Sequence, residues 1–304
     1  MNVLCVGAAG YIGTAVTTQL LDCATEVMAY DNLSRTGKHE LGHLMSNQWF
    51  QFIRGDVADI DMNKFSSADC VINLAALNLP SCEAHPNLCR STNEVAAIKL
   101  AKECVGRGIH YVFSSTCSNY GVKTDSYAVE TDKLVPTSNY ARSKVEVENA
   151  IKDWKDVTIL RFATAYGAGA MFRPDLLLHE FIHSALTNHK IVLRGANFYR
   201  PLCHIDDIAM AVCEAVMGKK TGIYNIGGTE NNYKKQELAE MVQFFTNCDI
   251  EFDKNQTDPR NYKVSFEKAK QELHFTPYHN IKKDIELLVD YHKQGLLNFG
   301  DSTI

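Results

Sequence analysis

The sequence predicts an α/β protein built on a doubly wound parallel sheet, with a smaller C-terminal lobe. Three observations predict it. The first half of the chain alternates short β-branched or apolar runs with helix-length segments, the pattern of βαβ units. The first of those runs leads straight into a glycine-rich turn, Gly7-Ala8-Ala9-Gly10-Tyr11-Ile12-Gly13, ahead of an apolar helix. From about Tyr166 the alternation gives way to glycine-containing loops and separate helices. The chain therefore divides into a unit over 1–165 and a unit over 166–304, some of whose segments return to the first.

In chain order, strands are predicted over 2–6, 26–30, 51–54, 70–74, 110–114 and 157–161. Helices are predicted over 12–22, 92–107 and 139–153. The second is rich in Ala, Lys, Glu and Leu, which favour helix, and the third carries Tyr140 and Lys144 one turn apart on one face. The C-terminal unit reads as a helix over 175–188, a short strand over 191–194, a helix starting near Asp207 and a last helix over 281–295. The polar tail Gly300–Ile304 is expected to fray.

Composition sets the outer limits. The chain has 304 residues, 45% of them hydrophobic and 22% charged, as in an ordinary soluble globular protein rather than a disordered or fibrous one. A net charge of −5 without a long basic run argues against nucleic acid as the main ligand. The ten cysteines fall in no CxxC or Cys/His metal spacing. Free thiols in a reducing compartment are expected, and none of the eleven histidines joins a metal constellation. The N-terminus has no basic leader, and no apolar stretch is long enough to span a bilayer, so a cytoplasmic protein without a membrane partner is expected.

The glycines at positions 7, 10 and 13 allow a tight strand-to-helix turn and let the backbone approach a pyrophosphate, whose charge a helix N-terminus stabilises. Their first gap is one residue longer than in the usual dinucleotide fingerprint. The second strand ends in Tyr30-Asp31-Asn32, with a carboxylate placed to accept from both hydroxyls of an adenosine ribose. Asp31 would repel a 2′-phosphate, which favours NAD over NADP. A plain turn aspartate is the alternative, and Arg35 leaves room for NADP. Asp56 fits either an adenine contact or a turn.

Tyr140-Ala-Arg-Ser-Lys144 follows a strand ending in Ser114-Ser115-Thr116. A tyrosine is a poor base near neutrality, and an ammonium one turn away favours its phenolate, so the pair reads as a tuned general acid/base. His204 reads as structural at the start of the helix that follows it, with Asp206 or Asp207 as that helix's N-cap.

The sequence resembles an extended short-chain dehydrogenase/reductase of the NAD-dependent epimerase/dehydratase family, and is similar in particular to nucleotide-sugar 4-epimerases. The resemblance covers nearly the whole chain. Its carriers are GAAGYIG at 7–13, YDNLSR at 30–35, GDV at 55–57, NLAAL at 73–77, FSSTCSNYG at 113–121, SNYARSK at 138–144, LRFATAYG at 160–167 and YRPLCHIDDIA at 199–209. It implies a Rossmann-type doubly wound parallel sheet that binds NAD through 1–165, with a nucleotide-sugar-binding lobe mainly from 166–304. The cofactor contacts it implies are Gly7, Gly10, Tyr11, Ile12, Gly13, Asp31, Asn32, Asp56, Val57, Leu74, Ala75, Ala76, Tyr140 and Lys144.

For the reaction, the resemblance makes Tyr140 the base, Lys144 its partner and Thr116 the hydroxyl that bonds the reacting sugar oxygen. Thr164 stands where many members carry an asparagine that touches the sugar nucleotide. Arg200 matches a diphosphate-binding arginine, and Arg260 lies near a second one. Related 4,6-dehydratases carry an Asp-Glu pair after the threonine, where this chain has Cys117 and Ser118, so epimerisation is preferred to dehydration. Cys117 is either a small packing residue or a proton-exchanging thiol of the kind used by GDP-mannose 3,5-epimerase, which this segment partly resembles. The non-enzyme alternative is a dinucleotide-sensing binding protein on the same fold. A homodimer is also implied, formed through the helices over 92–107 and 139–153, with Ala96, Ala97, Leu100 and Ala101 as its apolar support.

Overall fold

The computed structural model describes residues 1–23, 25–34, 40–254 and 259–299. Arg35 and the tail from Gly300 onward lie outside these.

The apolar run β1 (Asn2–Val6) leads through the glycine turn into α1 (Tyr11–Asp22), and the chain continues as β2 (Glu26–Asp31), β3 (Phe50–Arg54) and β4 (Cys70–Asn73). Two short helices, α2 (Leu79–Ala84) and α3 (Pro86–Cys89), precede a π-helical segment, Arg90–Ala96, that runs on into α4 (Ala97–Gly106). Then come β5 (His110–Thr116), β6 (Val122–Ala128), α5 (Asn139–Ile151), β7 (Val157–Phe162) and β8 (Thr164–Tyr166). The C-terminal half supplies α6 (Leu177–Asn188), β9 (Lys190–Arg194), β10 (Tyr199–His204), α7 (Ile205–Met217), β11 (Gly222–Ile226) and β12 (Asn232–Lys234). It ends with α8 (Lys235–Thr246), β13 (Asp249–Asp253), β14 (Asn261–Val264), α9 (Glu267–Glu272) and α10 (Ile281–Lys293).

Seven strands form one sheet in the order β11-β7-β5-β4-β1-β2-β3, and every neighbouring pair is parallel. Six of these strands are the predicted ones. The seventh, β11, comes from the C-terminal half and pairs with β7. The order runs outward from β1 through β2 to β3 and then restarts at β4 on the other side of β1. Such a reversal opens a crevice at the carboxyl ends of the strands, where ligands bind in this class of sheet.

Both faces of the sheet are covered, so its strands are apolar on both sides. Val3 and Cys5 of β1 join a core with Val16 and Leu20 of α1 and Ile208 and Val212 of α7. Leu4 and Val6 face the opposite core, with Leu100 of α4 and Val147 and Ile151 of α5. A third core joins α6, α8 and α10 to β9 and β10. Among the described residues no helix is long and apolar enough to cross a membrane.

Three expectations need correction. Ala96, Ala97, Leu100 and Ala101 do not face outward for a partner: all four are buried in the core under the same chain's sheet. The helix after β10 starts at Ile205, and its N-cap is His204, whose Nδ1 accepts from the Asp206 amide at 3.2 Å. Asp207 instead turns inward to accept the Tyr278 and His279 amides at 3.0 and 3.4 Å. The cysteines are not all free either. Cys82 and Cys89 form a disulfide, because the turn between α2 and α3 brings their Cα atoms to 4.8 Å. The other eight are free thiols.

Candidate active site

At the carboxyl end of β1 the backbone turns at Gly7 with φ +83°. A Cβ there would meet the Ala75 amide nitrogen at 2.5 Å, and one at Gly13 would meet the Gly7 oxygen at 2.1 Å. Only glycine permits this close approach between the turn, α1 and the end of β4. The N-cap of α1 is Gly10, with no side-chain cap and no acidic residue in the first turn, which leaves the positive helix end available to an anion.

Asp31 ends β2 beside this turn. Its Oδ2 accepts from the Ala9 amide at 3.0 Å and its Oδ1 from the Leu33 amide at 2.7 Å. Burial raises the carboxyl above its ordinary range, and the two amides pull it back. Asp56 caps a turn through the Ala58 amide at 2.9 Å and accepts from Asn32 Nδ2 at 2.7 Å, so it serves a turn and faces the crevice as well.

These groups line one cleft of about 760 Å³. All the residues expected to meet the cofactor contribute to its wall: Gly7, Gly10, Tyr11, Ile12, Gly13, Asp31, Asn32, Asp56, Val57, Leu74, Ala75, Ala76, Tyr140 and Lys144. A backbone cradle without Cβ atoms, an uncapped helix end and a strand-end carboxylate together fit a dinucleotide.

α5 begins at its Ser138 cap, whose hydroxyl accepts from the Ala141 amide at 3.1 Å, and this sets Tyr140 and Lys144 toward the cleft. Lys144 Nζ donates to the Ser114 carbonyl at 2.7 Å and lies 5.9 Å from the Tyr140 ring centre. Burial pushes its ammonium down to about 7, and Glu148 pulls it back up. Burial also pushes the Tyr140 phenol up to about 12, against the pull of the Arg173 guanidinium. The sequence casts Lys144 as the cation that favours the phenolate. In the structure the Arg173 guanidinium also acts on the phenol, while Lys144 is held in place through a β5 carbonyl. Thr116, at the end of β5, lines the same wall, its Oγ1 accepting from the Ser118 amide at 3.1 Å.

Cys117 is a correction. It is absent from the cleft wall: its fully buried side chain turns to the Arg161 carbonyl at 3.2 Å, and burial drives the thiol well above its ordinary value. β5 ends at Thr116, and Cys117 opens the 3-10 turn Cys117–Tyr120, which carries its side chain into the core with Val112 and Tyr120.

Thr164 lines the cleft from β8, and Arg200 and Arg260 reach it from the C-terminal half. Arg200 is buried, donates to the Tyr199 carbonyl at 2.7 Å and to the Arg260 carbonyl, and lies 5.5 Å from the Tyr262 ring centre. Sequence reasoning missed Arg173, Asp175 and Asn78. Arg173 makes a two-point contact with Asp175 at 2.7 and 2.6 Å, and Asn78 Nδ2 donates to the same carboxylate at 2.9 Å, joining the loop after β4 to the segment before α6. Arg-Pro-Asp in a loop matches no short motif. Only the adjacent glycines and the one fork-shaped cation in that loop could have drawn attention to it.

A further departure is the approach of His204, His279 and Asp284, whose candidate ligand atoms lie within 4.8 Å of one another. The imidazoles stack at 3.5 Å with planes 7° apart. His204 Nδ1 takes the Asp206 amide and His279 Nδ1 meets Asp284 at 3.2 Å. In-plane lone pairs on parallel rings do not converge, so this geometry suits hydrogen bonding and stacking better than a tetrahedral ion.

A glycine cradle at the strand-order reversal, with a buried Lys144 and a half-buried Tyr140 beside it, defines the class as dinucleotide-dependent α/β enzymes. The chain belongs to the NAD dependent epimerase/dehydratase family, whose model matches residues 3–227. UDP-glucose 4-epimerase of Lacticaseibacillus casei is 30% identical over 339 residues, covering 99% of this chain and 99% of its own length. UDP-glucuronic acid decarboxylase 1 of Arabidopsis thaliana is 23% identical over 316 residues, covering 98% of this chain and 71% of its own length. Among solved structures, MoeE5 in complex with UDP-glucuronic acid and NAD is similar with a TM-score of 0.82 and 25% identity, covering 97% of this chain and 100% of that one. The cofactor is NAD, and the chain is an NAD-dependent nucleotide-sugar enzyme of the epimerase/dehydratase class.

Proposed function

We propose that the protein is a nucleotide-sugar 4-epimerase. The observation that carries this reading is the meeting of Tyr140, Lys144 and Thr116 in one cleft that Arg173 and Arg200 also line. Bound NAD supplies the hydride acceptor and donor for carbon 4 of the sugar. Tyr140 takes the proton of the 4-hydroxyl and returns it once the keto sugar has turned over. Its burial favours the neutral phenol, so the proton moves only beside a cation, and Arg173 and Lys144 are the two at hand. Thr116 holds the reacting oxygen, Thr164 touches the sugar, and Arg200 with Arg260 holds the diphosphate, for which a guanidinium is well shaped.

In this reading residues 1–165 hold NAD, 166–304 mainly hold the nucleotide sugar, and the enzyme is a cytoplasmic homodimer. Neither Cys117 nor Ser118 is a carboxyl group, and Cys117 faces away from the cleft. Both facts weigh against 4,6-dehydration and cysteine-assisted 3,5-epimerisation.

One observation favours a narrower second reading, in which the sugar is a uronic acid. Arg173 presents a guanidinium to the cleft within electrostatic reach of Tyr140, and a sugar carboxylate would share that fork with Asp175. Relatives and a solved neighbour carry UDP-glucuronic acid in their names.

The test is to incubate the enzyme with UDP-glucose and UDP-glucuronic acid in deuterated water and follow products by NMR. Epimerisation inverts carbon 4 without deuterium on carbon. Loss of carbon dioxide, a deuterated methyl group or deuterium at carbon 3 or 5 would replace this reading with another.

A further inference from the structure

One helical turn beyond Lys144, α5 carries Glu148, buried with its side chain 2% exposed. Its carboxylate accepts from Ser115 Oγ, from Asn119 Nδ2 at 2.9 Å, from Arg161 Nε at 3.1 Å to each oxygen, and from an Arg161 terminal nitrogen at 2.6 Å. Arg161, on β7, also donates to the Tyr120 hydroxyl at 2.8 Å and the Glu130 carbonyl at 3.1 Å. A buried ion pair of this kind is no better for stability than well-packed apolar residues of the same volume. Its place in the fold suggests a different use.

Three consecutive residues at the end of β5 meet three parts of the site. The Ser114 carbonyl takes the Lys144 ammonium, Ser115 is fixed by Glu148, and Thr116 faces the cleft. Because side chains alternate along a strand, holding Ser115 inward fixes the direction of Thr116 and of the Ser114 carbonyl. The same carboxylate is the charged group that acts on Lys144.

We propose that Glu148, clamped by Arg161, is a positioning residue for the Tyr140–Lys144–Thr116 centre, locking the end of β5 against α5 and supplying the negative charge that faces Lys144. This rests on the reading of that centre given above. The groups around Lys144 are Tyr140 and Glu148 from its own helix and, from β5, the uncharged Phe113 ring at 4.7 Å and the Ser114 carbonyl. Arg173 and Tyr262 act on Tyr140 from outside α5. Burial lowers the hold of Lys144 on its proton and Glu148 restores part of it.

The test compares wild type, Glu148→Gln and Glu148→Gln/Arg161→Met as NAD-loaded enzymes. Thermal melting separates folding from function: the single variant leaves a buried guanidinium unpaired and melts lower, and the double variant melts near wild type. Both variants should lose Lys144's proton earlier, moving the alkaline limb of kcat/KM down by roughly 1 pH unit, the scale of one nearby charge. kcat should fall by about tenfold, with KM within about twofold. A readout independent of turnover is the titration of Lys144 itself, followed by NMR of 13Cε-labelled lysine and assigned by Lys144→Met, which should come at lower pH without Glu148. Glu148→Asp, which keeps the charge, should leave the alkaline limb in place. A double variant whose pH profile and Lys144 titration superimpose on wild type would overturn the proposal, as would one that does not fold, since the pair would then be a requirement of stability. Normal turnover in Tyr140→Phe would overturn the underlying reading of the centre and not this inference specifically.

Discussion

Tyr140→Phe removes one ionisable oxygen and keeps the ring's buried volume. Turnover should fall by roughly 10²–10⁴-fold, the scale of a lost general acid/base, while NAD stays bound, as measured by the nucleotide released on denaturation. Near-normal turnover would mean that another group carries the proton. Asp31 is tested by affinity: the wild type should bind NAD clearly better than NADP in calorimetry, and Asp31→Ala should shrink that gap. This substitution also orphans the Ala9 and Leu33 amides, which costs about 1–3 kcal/mol for each one left unsatisfied. Asp31→Asn, which keeps an acceptor, is therefore the companion variant. Equal affinities in the wild type would remove the argument. At this scale the glycine turn, Asp31, Asp56 and the Tyr140–Lys144 pair were legible as cleft residues, because each sits in a motif of fixed spacing. Cys117 was not, because its direction is set by the 3-10 turn that begins there and by the core it enters.

At the scale of elements, the segment between β8 and α6 is held by His179. Its Nε2 accepts from the Gly167 amide at 3.2 Å and its Nδ1 meets the Arg173 carbonyl at 3.2 Å, so the ring is neutral with its proton on Nδ1. It stacks on Phe172 at 4.4 Å. Burial pushes His179 down to about 4, and burial with the neighbouring His279 pushes His204 down to about 3. Between the ordinary value near 6.5 and these lowered values the unfolded chain binds more protons than the folded one. Stability is therefore complete above about pH 6.5 and declines as pH falls toward 4. The melting temperature should drop through that window, and His179→Gln, whose amide can accept and donate at the same two places, should flatten the decline. A flat wild-type profile from pH 6.5 to 4 would defeat this account. Periodicity located α6, but it held no sign of the histidine that fixes the loop before it, nor of the disulfide between α2 and α3. Both depend on turns that bring together residues of no recognisable spacing.

For the whole molecule, the homodimer rests on the family resemblance. Its expected apolar support is spent on the chain's own core, and what α3 and the π-helical segment after it leave exposed is Leu88 and Val95, 52% and 54% exposed. Sedimentation at micromolar concentration should give a dimer, and Leu88→Asp combined with Val95→Asp should shift it to monomer without lowering the melting temperature of the chain, because neither side chain is in a core. A strictly monomeric wild type would contradict the assembly.

The sequence by itself determined the parallel sheet, the glycine cradle, the strand-end carboxylate and the Tyr–Lys pair. Each is a local matter of periodicity, of backbone conformations open only to glycine, or of residues one helical turn apart. Only the tertiary structure decided that β11 completes the sheet from far along the chain, that Arg173 and Asn78 meet at Asp175 across the cleft, and that Glu148 and Arg161 lie beneath the centre. Those depend on which distant segments pack together, and burial then sets the charges: an ammonium held near 7 and a phenol near 12 follow from lost solvent and placed neighbours, which no spacing along the chain encodes.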